Sequence, residues 1–252
     1  MSDVPIMEVR DVYVQFGGFT ALSDVSIAFR QGELTSIIGP NGAGKSTFFN
    51  VLSGSVKPTA GSVFLKGEDI SKRPQHEITR LGIAKSFQIT SVFPQLTVLD
   101  NVRIAMQGMS RRFDMWTPRA AMKSQIDEAI AILDRVGLAA RRDRTAGAMA
   151  HGEQRSLEMA MALAAHPKVL LLDEPTAGMS PEETGAMMDL IVRLSSERTV
   201  ILVEHKMKLV MGVSDRIIVL HHGEVLADGT PDNIRANTEV RRVYLGEEMS
   251  GA

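Results

Sequence analysis

Residues 39–47 read GPNGAGKST, and their reading decides the fold. Three glycines and a proline surround one lysine, and two hydroxyl residues follow. Such a loop is a poor place to build a core. Its flanks say what it joins. LTSIIG, 34–39, is a short apolar run with β-branched residues and reads as a buried strand. KSTFFNVLSG, 45–54, reads as a helix that stops at Gly54. Gly39, then four residues, then Gly44-Lys45-Ser46 matches the phosphate-binding loop in its required strand–loop–helix context. Glycines let backbone N–H groups turn inward onto phosphate oxygens. The helix start adds the positive end of its dipole. In that pattern Lys45 reaches the β- and γ-phosphates and the Ser46 hydroxyl ligates Mg²⁺. A ligand-free glycine turn would leave Lys-Ser-Thr at the helix start unexplained.

The chain outward from the loop is of alternating type. MEVRDVYVQF (7–16) and SDVSIAF (23–29) alternate apolar and polar residues, as half-buried strands do, and GSVFLKG (61–67) is another short strand. From about 97 to 165 the pattern turns helical. Met122, Ile126, Ala129, Ile130, Leu133 and Val136 share one face, and Gly137 ends that helix. VLLLDE (169–174) and TVILVE (199–204) are buried strands. Between them Ser180-Pro181-Glu182-Glu183 is a capping box with proline at the first helical position. DRIIVLHHGEVLADG closes as a hairpin through His222-Gly223, and TPDNI starts a short helix. Strands alternating with helices imply a mostly parallel sheet. The reading is an α/β core over 1–89 and 166–252, with a helical subdomain inserted at 90–165.

Composition narrows the function. The chain has 252 residues, 44% of them hydrophobic, a net charge of −2 and no cysteine. A sizeable core is expected, nucleic acid is disfavoured as the main partner, and disulfides and cysteine-based metal sites are excluded. Charged residues within the first 20 positions argue against a signal peptide. No apolar run approaches the ~20 residues of a membrane helix. A soluble protein is expected, one that works at a membrane only by sitting on something that spans it.

A bound triphosphate needs a metal, a positioned water and charge stabilisation. Asp173 ends a hydrophobic strand, where a carboxylate can hold Mg²⁺ directly or through water. Glu174 follows and could polarise the attacking water, although adjacent carboxylates could instead cap the next helix. His205 stands at the end of a like strand, where it could contact a γ-phosphate or be structural. Gln88, in SFQIT, lies where the chain leaves the core and could sense the nucleotide and transmit its state, though alone it reads as a loop glutamine. AHGEQR, 150–155, opens a helix, and Gly152 would allow close backbone approach at its N-terminus, another anion site.

In this order the pieces resemble the nucleotide-binding subunit of an ATP-binding cassette (ABC) transporter, through nearly the whole chain. GPNGAGKST resembles Walker A, with Gly39, Asn41, Gly42, Ala43, Gly44, Lys45, Ser46 and Thr47 expected around ATP. VLLLDEP resembles Walker B, with Asp173 toward the metal and Glu174 as catalytic base. Gln88 matches the Q-loop, a further metal contact, and His205 the switch histidine. Phe16, in VQFGG, matches the aromatic that stacks on adenine, with Tyr13 as its rival. MAHGEQR stands at the signature, usually LSGGQ, so Ala150, His151, Gly152 and Glu153 are expected to contact the ATP of a second subunit. TAGMSPEE resembles the D-loop. There are departures: the signature serine and first glycine are replaced by Ala150 and His151. Ala150 lacks the signature hydroxyl, and a hydrogen bond to a charged group contributes roughly 1.5–3 kcal/mol. Ser180 replaces the usual D-loop aspartate.

Residues 203–237 and the ending VRRVYLGEE resemble the ATPase of importers for branched-chain amino acids and related polar compounds. That resemblance implies an ATP-hydrolysing subunit, peripheral on the cytoplasmic face of the inner membrane. Its expected partners are membrane permeases, a second ABC ATPase that is a copy or a paralogue, and an extracytoplasmic solute-binding protein. An exporter or lipid-extracting complex of similar type is the alternative. A ribosome- or DNA-acting ABC ATPase would usually carry two cassettes or a long coiled-coil insertion. A GTPase would need an Asn-Lys-x-Asp motif, which is absent. The segment MSRRFDMWTPRA, 109–120, carries no motif.

Overall fold

The computed structural model describes residues 4–86, 92–109 and 119–245. Two sheets carry the described chain. The first is antiparallel, in the order β2-β1-β4-β5, from β1 (Met7–Phe16), β2 (Phe19–Phe29), β4 (Ala60–Leu65) and β5 (Glu68–Asp69). The second has the order β10-β9-β3-β8-β7-β6. It is built from β3 (Leu34–Ile38), β6 (Ile83–Lys85), β7 (Val169–Asp173), β8 (Thr199–Val203), β9 (Arg216–His221) and β10 (Glu224–Gly229). Its neighbours are parallel except β9 and β10. Those two form the hairpin read from the sequence. His222 (φ 50°) and Gly223 (φ 81°) both have positive φ, as a type I′ turn requires.

The central strands are buried at every residue: β3, β7 and β8 show no exposed position. Apolar residues on both faces suit a sheet covered on both sides. Period-2 geometry then divides them. Val169, Leu171 and Ile201 pack with the antiparallel sheet and with Phe48 and Phe49 of α1 (Lys45–Leu52). Leu170, Leu172, Val200 and Leu202 face the other way, onto the helices. These are α3 (Val98–Met109), α4 (Arg119–Arg135) and α5 (His151–Leu163), which follow β6, and α6 (Pro181–Ser195) between β7 and β8.

Helix boundaries follow local chemistry. In α6 the Ser180 hydroxyl accepts the Glu183 N–H and Glu183 takes the Ser180 N–H, so the capping box forms as read. Its Met187, Leu190, Ile191 and Leu194 are buried. On α4, Ala129 and Leu133 are buried, and so is Val136 just past its end, as the periodicity predicts. Ile132 is buried as well, Ile126 and Ile130 are only half-buried, and the side chain of Met122 lies outside the description. Two helices are too short to show a period: α2 (Gln75–Leu81) and α7 (Met207–Val213). The C-terminal α8 (Pro231–Ala236) begins at the Thr230 cap. No described helix is long and apolar enough to cross a membrane.

Candidate functional site: a nucleotide cleft at the strand ends

The parallel register brings the sequence candidates together. Ile37, Val203 and Asp173 are neighbours across β3, β8 and β7, so the loop at 39–47, Glu174 and His205 all leave the same sheet edge. That edge is where open α/β sheets bind ligands. One cleft there is lined by Asn41 through Thr47, with Glu174 and His205 across from them.

The loop needs its glycines. A Cβ on Gly39 would stand 2.2 Å from the Leu220 carbonyl oxygen, so backbone fills the space. Gly44, at φ 96°, would bring a Cβ within 2.7 Å of the Ala21 carbonyl. The β9–β10 turn supports the loop from beneath, with the Gly223 N–H donating to the Ala43 carbonyl at 3.1 Å. Lys45 is buried and donates to the carbonyls of Gly39 (2.7 Å) and Pro40 (2.9 Å). Burial depresses its pKa, opposed by the nearby charges of Glu174 and Asp173. Phosphate oxygens would give this ammonium charged acceptors in place of neutral ones.

Across the cleft, His205 Nε2 lies 2.6 Å from Glu174 Oε1. Glu174 has positive φ, 49°, and its N–H donates to Val203, so the backbone aims this side chain rather than leaving it to a helix cap. Its neighbour Glu204 is buried and structural: it accepts from the Thr176 hydroxyl at 2.5 Å and from the Thr176 N–H at 3.3 Å.

Asp173 is buried, and its Oδ1 has no hydrogen-bond partner. Its Oδ2 lies 3.9 Å from Lys85 Nζ, which also donates to Asn50 at 2.8 Å. Burial raises the Asp173 pKa against the pull of Lys85. A buried, unpartnered carboxylate oxygen beside a phosphate loop fits Mg²⁺, an oxygen-seeking ion. No trio of His, Asp or Glu among the described residues could hold an ion alone. A site completed by nucleotide oxygens agrees with that, since Mg²⁺ is commonly bound by one or two carboxylates and phosphates.

Other candidates stand elsewhere. Gln88 lies outside the described residues. Phe16 stands opposite Phe19 at the tip of the β1–β2 hairpin, and both rings are exposed, at 52% and 64%. Of the two, Phe19 lines the cleft and Phe16 does not, and Tyr13 does not either. Phe19 had one sequence signal, an aromatic on the far side of Gly17-Gly18. Ala150, His151, Gly152 and Glu153 form the start of α5 and none lines the cleft. The Ala150 N–H donates to Glu153, whose carboxylate also pairs with Arg141 at 2.8 Å.

Comparison with known proteins agrees with this arrangement. The family model described as ABC transporter matches residues 22–177. The chain belongs to the ABC transporter ATPase family. A second model, described as branched-chain amino acid ATP-binding cassette transporter, matches residues 224–249. The chain is 41% identical over 251 residues to the high-affinity branched-chain amino acid transport ATP-binding protein LivG of Salmonella typhimurium, covering 96% of this chain and 98% of LivG. The LivG of Escherichia coli K12 and the BraF of Pseudomonas aeruginosa are equally similar, at 41%. Among solved structures, a nucleotide-free ATP-binding cassette superposes with a TM-score of 0.84 at 29% identity, covering 95% of this chain and 98% of that one. The ADP conformation of the cassette MJ1267 matches at 0.84 and 30% identity, covering 96% and 98%. This ABC ATPase therefore binds and hydrolyses ATP.

Proposed function

We propose that this ATPase powers an importer of branched-chain amino acids or related polar solutes. The observation that carries the reading is likeness along the whole chain to LivG and BraF, extending into the C-terminal 224–249. In this reading the chain sits peripherally on the cytoplasmic face of the membrane. It binds two kinds of partner there, permeases and a second ABC ATPase, and serves an external solute-binding protein.

The site residues take these roles. Amides of residues 41–47 and Lys45 hold the phosphates, and Phe16 or Phe19 stacks on adenine. Ser46, Asp173 and Gln88 would hold Mg²⁺, which when bound would supply charge neutralisation at the phosphates. Glu174 accepts a proton from the attacking water. His205, in contact with Glu174, holds that carboxylate and faces the γ-phosphate. The start of α5 presents Gly152 to the nucleotide of the other subunit, and the helices over 90–165 carry the motion to the permeases. Purifying the tagged chain in mild detergent from its own membranes, with mass spectrometry of what accompanies it, tests the reading. Two multi-span permeases and a second cassette are expected, together with loss of leucine, isoleucine and valine uptake when the chain is deleted. A lone permease pair with undiminished uptake of those amino acids would contradict it.

A further inference from the structure

The start of α5 already has an anion on it. Ala150 is the N-cap and has no side-chain acceptor, so the first-turn amides of α5 lack the partner that a serine would supply. Glu183 of α6 stands beside that start. Its Oε2 accepts the Ser180 N–H at 2.9 Å within the α6 capping box. Its Oε1 lies against Gly152: a Cβ on that glycine would stand 2.4 Å from it. The carboxylate is held below the usual carboxylate range, first by the Ser180 N–H and further by the backbone of Gly152. Beside it, the His151 ring packs on Gly178, where a Cβ would come within 3.3 Å of the ring. The signature start is thus clasped to the segment that leads from Glu174 into α6.

We infer that Glu183 is a positioning residue whose carboxylate covers Gly152 at the start of α5 in the single subunit and must give way to the phosphate of the partner's nucleotide. The inference rests on the proposed trans contact of the signature. A carboxylate and a phosphate cannot occupy the same place over Gly152, and both are anions drawn to the same helix start. Ala150 deepens the competition, because a serine hydroxyl would add a donor for the phosphate. The loop that carries Glu174 would then feel the arrival of the partner's phosphate through Glu183, by way of residues 176–183.

The test uses the complex purified through the tagged chain, with ATP as the probe. Glu183→Gln keeps an α6 capping box, since glutamine serves at that position, and removes the charge. It is expected to lower the complex's KM for ATP roughly two- to fivefold, the size of one charge near a helix terminus. ATP affinity and thermal midpoint of the isolated chain should not change, which separates this role from a structural one. Ala150→Ser is the control for the trans contact and should also lower that KM. If Ala150→Ser acts and Glu183→Gln does not, the Glu183 assignment is wrong while the trans reading stands. If neither acts, the trans reading fails and the inference with it. Hydrogen exchange at the amides of 151–153 gives a second readout: faster in Glu183→Gln if the clasp exists, unchanged if it does not.

Discussion

The Walker face and the signature helix both present backbone N–H groups to an anion, yet they are built differently. At the Walker face the amides are held by backbone. Gly39 is wedged against the Leu220 carbonyl, and Ala43 is pinned by the β9–β10 turn. At the signature helix the backbone is covered by side chains. Glu153 takes the Ala150 N–H, and Glu183 covers Gly152. A site made by backbone is preformed and binds without a partner. One covered by a movable carboxylate is ready only when something displaces that carboxylate. The difference suits the proposed role, in which a subunit holds its own nucleotide and contributes to another.

Substitutions can break or sharpen this contrast. The largest effect is expected at Glu174. Glu174→Gln should retain ATP binding and lose at least about 100-fold in turnover, the usual range for a general base. Filter binding beside phosphate release checks it, and near-normal turnover would remove the assigned role. Next comes Lys45→Ala, which should weaken ATP binding by roughly 10- to 100-fold, the loss of a charge-assisted hydrogen bond. Calorimetric titration of the isolated chain decides that.

A paired glycine experiment probes the two constructions directly. In Gly39→Ala the new methyl meets backbone, which cannot move aside, so about 3 kcal/mol of stability should be lost. In Gly152→Ala it meets the end of a flexible side chain, within a helix that favours alanine by about 1 kcal/mol. Little net loss of stability is expected there. Equal destabilisation in urea melts would erase the distinction between the two sites.

The smallest effect concerns Asp173. Burial raises its pKa above the unfolded value, so the folded chain binds that proton more tightly. The resulting stability is fully present below the unfolded pKa, about 4, and is lost as pH rises through the folded one. Asp173→Asn should therefore melt slightly higher than the parent at pH 7 without nucleotide, with the gain shrinking toward pH 4. A lower melting point at pH 7 would show that the pairing with Lys85 outweighs the burial. Binding of Mg²⁺ with ATP should weaken in the same variant.

What was legible in the sequence follows the same divide. A phosphate loop is a local pattern, because the strand, the glycines and the lysine are contiguous. Asp173, Glu174 and His205 were legible because hydrophobic runs marked the strands they terminate. Spatial relations were not legible. Lys85 meets Asp173 only through the pairing of β6 with β7. Glu183 reads as an ordinary capping-box residue, and nothing in SPEE says that its second oxygen reaches Gly152. Phe19 was passed over for Phe16 because the motif fixes one aromatic, while the hairpin sets the two side by side. Helices α2 and α7 were missed because seven residues are too few to display a period.

The most direct test of the account is ATP turnover per subunit measured across a wide dilution series of the isolated chain, alongside ATP binding in the same samples. The account predicts that binding is independent of concentration and that turnover per subunit falls on dilution, reaching full activity only with a second cassette. Constant turnover per subunit at every dilution would contradict it, because one subunit would then complete its catalytic site without another's signature helix.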